Sequence, residues 1–231
     1  TSSAAFELVR GGIEALPGTK DEVLKIEKLL QSHQWNATSY LFDKATEEIV
    51  KAQRSPALLH IATHGFFIPE SPENTPVSYG GQGVTQAEVN PLLRSGLMLA
   101  GAEKNLVNQL LGKTRAQNTD DGVLTAFEAM NMNLKDTDLV VLSACETGAG
   151  EVRNGEGVYG LQRSFLVAGA NSVMMSLWKV SDEATQELMV LFYKHWLTLK
   201  DKRKAFQETQ LELKKTYADP FYWGAFVMTG K

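Results

Sequence analysis

The sequence predicts an α/β fold with about six strands in a mostly parallel sheet and helices on both faces. Short apolar, β-branched runs alternate with segments of helical periodicity, which is the pattern of strands connected by helices. One run, Leu139–Gly148, is apolar on both faces before it stops abruptly, as a central strand does. A chain of 231 residues is long enough to bury a sizeable core. We therefore expect a single domain over residues 1–231, and the start without methionine predicts a fragment whose missing part lies mainly upstream.

The first part of the chain is predicted to alternate strand, helix, strand, helix, strand. The three strands are Phe6–Arg10, Ala37–Phe42 and Leu58–Thr63. The first helix begins at Leu16–Thr19, and the second covers Thr46–Gln53. Val23, Ile26 and Leu30 recur at helical spacing in the first helix, and Thr46 is a candidate N-cap of the second. This βαβαβ order favours a parallel sheet.

Two polar insertions interrupt this rhythm. Pro69–Pro91 is rich in proline and carries a glycine cluster, so we expect a mobile loop there. Arg94–Ala100 is predicted to be a short strand or half of a hairpin, and Glu103–Asp121 is a second polar insertion with one apolar patch, Leu106–Leu111. Long loops in a compact domain are usually functional or disordered. Both insertions follow His64 in the chain, so they are candidates to form the walls of a functional site.

The second half returns to regular alternation. Its predicted elements are the helix Leu124–Met132, the strand Leu139–Gly148, the helix Glu156–Ala168, the strand Ser172–Leu177, a long helix capped by Ser181 or Asp182, the helix Lys200–Tyr217 and the strand Trp223–Met228.

Composition excludes several classes of function. A formal net charge of -4 gives no electrostatic reason to expect nucleic acid or an anionic membrane as a partner. One cysteine excludes an internal disulfide and suits a reducing compartment, so we expect a cytoplasmic protein. No apolar run approaches the roughly 18 residues of a membrane span. Neither a metal-ligand cluster nor a phosphate-binding loop is recognisable, and we expect no cofactor.

Cys145 is the candidate nucleophile because it stands at the carboxyl end of the central strand, where ligands of open α/β sheets bind. A lone cysteine is equally well explained by position alone as a small buried hydrophobe. A catalytic thiol needs a base, and His64 ends a neighbouring parallel strand at the same edge. His60 lies deeper and is predicted to be a hydrogen-bonded core residue, whereas His33 and His195 are predicted to be structural or on the surface.

Gly65 follows His64 and offers a backbone N–H close to the expected reaction. Amide hydrolysis passes through an oxyanion, which backbone N–H groups commonly stabilise. The N–H groups of Gly65 and Cys145 are the predicted pair. Gly65 is also explained as a turn residue after a strand, and the two interpretations are compatible.

Several separate strings resemble the CHAT domain, a caspase-like family associated with TPR repeats. They are LLHIATHGFF, DGVLTAFE, LVVLSACETGAGEVRNGEGV, SVMMSLWKVSD and FYWGAFVMTG, and they occur in the family's order over nearly the whole chain. The resemblance implies a caspase-like three-layer sandwich and a cysteine endopeptidase related to caspases and separases, with His64 and Cys145 as its catalytic pair. It also implies an upstream TPR-type regulatory region, and bacterial defence with a gasdermin-like effector as one candidate substrate.

The chain departs from caspases in two respects. Only Glu151–Asn154 separates the cysteine motif from the next helix, so activation by cutting a linker is not expected, and we predict that an upstream region or partner orders the two insertions.

The second difference concerns specificity. Near the cysteine there is no basic cluster that would hold an aspartate. Asp182 instead resembles the acidic position with which separases bind arginine, and we predict that Asp182, Ser143 and Trp178 bind substrate. Asp182 is equally well explained as a helix cap.

The sequence thus favours a cysteine endopeptidase that cleaves an extended peptide through a Cys–His dyad and an acyl-enzyme. The alternative is a non-catalytic caspase-like module that signals through TPR partners. Hydrolysis or acyl transfer on a non-peptide substrate is a third, weaker option.

Overall fold

The computed structural model describes residues 16–67, 76–79, 82–85, 91–105, 120–146, 156–178 and 180–231. The predicted strand Phe6–Arg10 and the apolar patch Leu106–Leu111 lie outside these residues.

The described ranges contain both helices and strands. The helices are α1 (Pro17–Ser32), α2 (Glu47–Lys51), α3 (Ala126–Met130), α4 (Glu156–Val167), α5 (Asp182–Leu199), α6 (Lys202–Thr216) and α7 (Pro220–Trp223). The strands are β1 (Leu58–Phe67), β2 (Pro76–Tyr79), β3 (Gln82–Thr85), β4 (Ser95–Met98), β5 (Val123–Thr125), β6 (Leu139–Glu146), β7 (Ser172–Ser176) and β8 (Phe226–Gly230). Short 3-10 turns cover Phe42–Lys44 and Pro91–Leu93.

Six of these strands form one sheet in the order β5-β4-β1-β6-β7-β8. The central strands β1, β6 and β7 are parallel, whereas β4, β5 and β8 pair antiparallel with their neighbours. The predicted six-stranded α/β sheet is therefore confirmed, with parallel pairing confined to its centre. β2 and β3 form a separate two-stranded sheet.

The sheet separates two hydrophobic cores. On one face Leu139, Val141 and Met174 pack with α1, α5 and α6, where the side chains include many aromatic rings. On the other face Val140 and Leu142 pack with α3 and α4 in a mainly aliphatic core. Because neighbouring side chains in a strand point to opposite faces, the alternation in β6 places helices on both sides.

The predicted strand Ala37–Phe42 is wrong. Residues 35–41 form no strand, and Phe42 opens a 3-10 turn with a φ of 53°. A positive φ is a left-handed conformation that a strand does not accommodate. In the described part of the chain α1 and α2 therefore precede β1 without an intervening strand, and the predicted βαβαβ order does not hold there.

Three other boundaries also differ from the predictions. The proline-rich insertion contains the hairpin β2–β3, so it is not a loop throughout. The predicted helix Leu124–Met132 begins as strand β5 and becomes α3 only after Thr125, whose side chain forms a capping box with Glu128. The last strand starts at Phe226, because the Asp219 side chain accepts from Phe221 N and starts α7 first.

Candidate active site

The backbones of His64 and Cys145 lie side by side in the sheet. In the parallel pairing of β1 with β6, His64 is the register partner of Cys145, and Gly65 is the partner of Glu146. Neighbouring strands are roughly 4.8 Å apart, and paired positions share one face of the sheet. β6 ends one residue after Cys145, so the pair stands at the carboxyl edge of the parallel strands.

The register brings apolar side chains of the two strands together on each face of the sheet. Ile61 and Leu142 are partners and both pack into the core beneath α3 and α4. The alternation then assigns positions 60, 62 and 64 of β1, with 141, 143 and 145 of β6, to the face covered by α1 and α5.

A cleft of about 410 Å³ opens beside His64. Its described lining comes from three places: the start of α1, the end of β1, and the segment that follows β4. The lining residues are Leu16, Thr19, Ala62, Thr63, His64, Met98, Leu99 and Gly101–Lys104. Thr63 Oγ1 donates to the carbonyl oxygen of Met98, which fastens β1 to β4 next to the cleft. A larger groove of about 830 Å³ lies between α1, α5 and α6, and its described lining contains none of the predicted site residues.

His60 is a core residue, as predicted. Its Nε2 lies 2.8 Å from Glu22 Oε1 and its Nδ1 lies 3.0 Å from the Tyr193 hydroxyl. In the neutral imidazole, Tyr193 donates to Nδ1 while Nε2–H donates to Glu22, so one tautomer satisfies all three groups. Burial, followed by the negative charge of Glu22, holds the pKa of Tyr193 well above its usual value. Both ring nitrogens of His60 are thus engaged away from the edge.

Gly65 is a buried residue inside β1, which runs on to Phe67 instead of ending at Thr63 as predicted. It is paired with Leu97 on one side and with Glu146 on the other. Gly65 is therefore not a turn residue, and its contribution to an oxyanion site stays a prediction.

Asp182 occupies the first turn of α5 but does not cap it. The cap is Ser181, whose hydroxyl accepts from Ala184 N at 3.3 Å. The half-buried Asp182 carboxylate makes no hydrogen bond or ion pair with the described residues. A Cβ added at Gly18 would lie 3.0 Å from the Asp182 Cβ, so glycine there allows α5 to approach the first turn of α1. That same turn borders the cleft beside His64.

Trp178 and Ser143 occupy different environments. Trp178 follows β7, and its Nε1 donates to the Phe221 carbonyl at 3.0 Å while the two rings stack. It remains 37% exposed, and continuing the register of Leu142 with Met175 would align it with Cys145. Ser143 is only 5% exposed, and its Oγ has no hydrogen-bond partner within the described chain.

Two residues of interest were not recognised in the sequence. The burial of Glu22 was not predicted, although Glu22 stands four residues before Ile26 on the apolar stripe of α1. Arg94 is 8% exposed and interrupts an otherwise apolar run, PLLRSGLML. In both cases the sequence contained a signal, which is a charged residue at a position where the hydrophobic pattern predicts a buried side chain.

No group of three or more histidine, cysteine or acidic side chains that could hold a metal occurs among the described residues. Over the same ranges, no helix is both long and apolar enough to cross a membrane.

A mixed α/β sheet carrying a histidine and a cysteine at the ends of neighbouring parallel strands places the chain in the caspase-like class. The family model of the CHAT domain matches residues 3–231. The chain belongs to the CHAT domain family, whose fold is related to that of caspase-like cysteine peptidases.

Two relatives are similar over part of the chain. Tetratricopeptide repeat protein 28 of Homo sapiens is 31% identical over 110 residues, which cover 47% of this chain and 4% of that protein. Its namesake in Mus musculus is 30% identical over 110 residues, with the same coverage. The matched part of the chain thus spans only about 4% of the length of the curated relatives, both of which are named for tetratricopeptide repeats.

Proposed function

We propose that this chain is a cysteine endopeptidase with a Cys145–His64 dyad. The observation that carries the proposal is the register of β1 with β6, in which these two residues are direct partners at the carboxyl edge. A nucleophile and its base must lie within hydrogen-bond reach. Directly paired positions are the closest approach that two neighbouring strands offer, and this is why the register supports the pair.

In this mechanism His64 accepts the thiol proton, and the thiolate of Cys145 attacks the scissile carbonyl carbon. The backbone N–H groups of Gly65 and Cys145 stabilise the resulting oxyanion. His64 then donates its proton to the leaving amine as the C–N bond breaks, which leaves a thioester. Water, deprotonated by His64, attacks the thioester and releases the acid product and the free thiol. No third side chain is assigned to the dyad.

Labelling with a peptide vinyl sulfone tests the dyad. Wild-type protein should form a covalent adduct at Cys145, and His64→Ala should slow adduct formation by roughly 100-fold or more, because the thiol loses its base. His33→Ala removes an exposed histidine at the end of α1 and should label at the wild-type rate. A folded wild-type protein that neither labels nor cleaves peptides, even with a TPR partner added, would refute the protease proposal.

Asp182, Ser143 and Trp178 are the proposed substrate-binding residues. Three features support Asp182: its carboxylate has no partner in the described chain, it is half-buried, and it packs against the turn of α1 that borders the cleft. A carboxylate in such a place suits an arginine or lysine side chain at the cleavage site.

A cleavage profile on a peptide library measures this preference. We expect cleavage after basic residues, and a loss of roughly tenfold or more in kcat/KM for those peptides in Asp182→Asn. Asp201→Asn is the matched control, because it changes an exposed acid at the start of α6. An unchanged preference in Asp182→Asn would remove Asp182 from the site.

A second candidate is a non-catalytic module that signals through TPR partners. It is favoured by the tetratricopeptide repeats for which both relatives are named. The same repeats fit the protease proposal, in which an upstream TPR-type region regulates the site. Retained signalling by Cys145→Ala in the full-length protein would favour the module over the enzyme.

A further inference from the structure

Arg94 differs from the other buried charges in the described part of the chain. Glu22 is buried against His60, and buried Glu47 accepts from Lys51 Nζ at 3.0 Å and from Gly122 N at 2.9 Å. Arg94 is 8% exposed, yet its Nε and Nη1 atoms have no hydrogen-bond partner among the described residues. A guanidinium is charged at every physiological pH, and burying a charge without a partner is costly.

Unsatisfied polar side chains accompany Arg94. Ser95, the next residue, is 2% exposed and its Oγ is without a partner in the described ranges. The same holds for Nε2 of Gln162, which is 6% exposed and lies on α4. α4 packs against both β4 and the 3-10 turn before Arg94, and the Ser95 Oγ lies 3.5 Å from where a Cβ on Gly160 would stand. The Ser95 side chain thus faces α4. The guanidinium of Arg94 is a donor only and carries a positive charge, so the ligand that Arg94 lacks is an acceptor, above all an anion.

The position of Arg94 connects it to the proposed active site. Ser95 opens β4 opposite Phe67, three residues beyond His64 on β1. Because β4 runs antiparallel to β1, Arg94 lies at the edge where β1 and β6 end. With a rise of about 3.3 Å per residue and a spacing of about 4.8 Å between strands, the Arg94 Cα stands about 14 Å from that of His64. An extended peptide covers that distance in about four residues, and an arginine side chain shortens it.

We infer that Arg94 binds the carboxylate of an aspartate or glutamate in the substrate, about two to four residues from the scissile bond. This inference rests on the proposed peptidase function and adds a second feature to the substrate. A carboxylate accepts from the guanidinium and neutralises the buried charge. A substrate with a basic residue at the cleavage site and an acidic residue nearby would then match both Asp182 and Arg94.

The test uses pairs of peptides that differ by glutamate or glutamine at one position, scanned over the four positions on each side of the scissile bond. At one position the wild-type protein should cleave the glutamate peptide with a kcat/KM roughly tenfold to hundredfold higher. Arg94→Gln should bring this ratio to about one, while Arg94→Lys should retain part of it. Arg163→Gln removes an exposed arginine from α4 and should leave the ratio at its wild-type value.

The ratio within a peptide pair is insensitive to a uniform loss of activity. A wild-type ratio near one at every position, or a ratio that survives in Arg94→Gln, would overturn the inference. If Arg94→Gln does not fold, as judged by its circular dichroism and thermal melt, the wild-type scan and Arg94→Lys decide the matter.

Binding separates this inference from the proposed function. Fluorescein-labelled peptides of the same pair are titrated with Cys145→Ala protein, with anisotropy as the readout. Tighter binding of the glutamate peptide without cleavage by the wild type would support the anion site and refute the protease. Cleavage without a charge preference would support the protease and overturn the role of Arg94.

Discussion

His60 and His64 stand four residues apart on the same strand, β1, and on the same face of the sheet, yet their surroundings differ. His60 lies in the middle of the strand, where its side chain is 9% exposed and is bonded to Glu22 and Tyr193. His64 lies near the strand's carboxyl end, borders the cleft and is the partner of Cys145. Depth along the strand, more than residue type, therefore sets the surroundings of the two histidines.

The surroundings of the two histidines are nevertheless connected through the helices α1 and α5. Glu22 belongs to α1, whose first turn lines the cleft beside His64, and Tyr193 belongs to α5, which carries Asp182 at its start. His60 bridges these two helices from beneath. The buried network therefore fixes where α1 stands relative to the strand that carries the proposed base.

The largest expected effect comes from His60→Ala. It leaves the Glu22 carboxylate buried without its partner, and breaking a buried ionic or polar pair costs about 3–5 kcal/mol of the free energy of unfolding. Chemical denaturation should show this loss, whereas the folded fraction should retain its rate of labelling at Cys145. His64→Ala should show the opposite result, with near wild-type stability and lost labelling.

A double variant sharpens the comparison. His60→Leu combined with Glu22→Leu replaces both polar partners with apolar side chains, and it should recover much of the stability lost in His60→Ala. If the double variant is instead as unstable as the single one, the network is not the source of the effect. If His60→Ala abolishes labelling in fully folded protein, the division of roles between the two histidines fails.

A smaller effect is expected from Tyr193→Phe. It removes one hydroxyl and leaves His60 Nδ1 without its donor, which should cost about 1–2 kcal/mol at neutral pH. The phenol also makes stability depend on pH. Its pKa is higher in the folded than in the unfolded chain, so its contribution is complete below pH 10 and is lost as the pH rises above that value.

Denaturation at several pH values between 8 and 11 measures this dependence. Above the unfolded tyrosine pKa of about 10, wild-type stability should fall by up to about 1.4 kcal/mol per pH unit more steeply than that of Tyr193→Phe. Tyr40→Phe changes a tyrosine that is 44% exposed and should keep the wild-type slope. Identical slopes in wild type and Tyr193→Phe would show that the phenol is not held protonated by its burial.

Strands β1 and β6 could be predicted from the sequence because the hydrophobic pattern of their own residues identifies them as strands. A run such as LVVLSA is apolar on both faces, and only a central strand buries both. The stretch Ala37–Phe42 is more polar and forms no strand, because a strand also requires a neighbour with which to pair. That neighbour is a property of the whole fold. β5, with three residues, is too short for any periodicity to reveal.

The same distinction applies to the candidate site. The positions of His64 and Cys145 at strand ends followed from local pattern, whereas the register that makes them direct partners was not predicted and comes from the structure. The partners of His60 could not be predicted, because Glu22 and Tyr193 belong to helices that pack against β1 from distant parts of the chain. The place of Arg94 could not be predicted, because it is distant from Cys145 in the chain and only the antiparallel pairing of β4 with β1 returns it to the same edge.

The pairing of His64 with Cys145 has a consequence for the order of folding. The two residues are about 80 positions apart in the chain, and contacts of such sequence separation are slow to form because the loop between them must first be closed. During synthesis His64 emerges well before Cys145. A chain that has collapsed without docking β1 against β6 therefore holds a thiol with no base beside it. The time at which labelling of Cys145 appears during refolding would then measure when β1 and β6 pair.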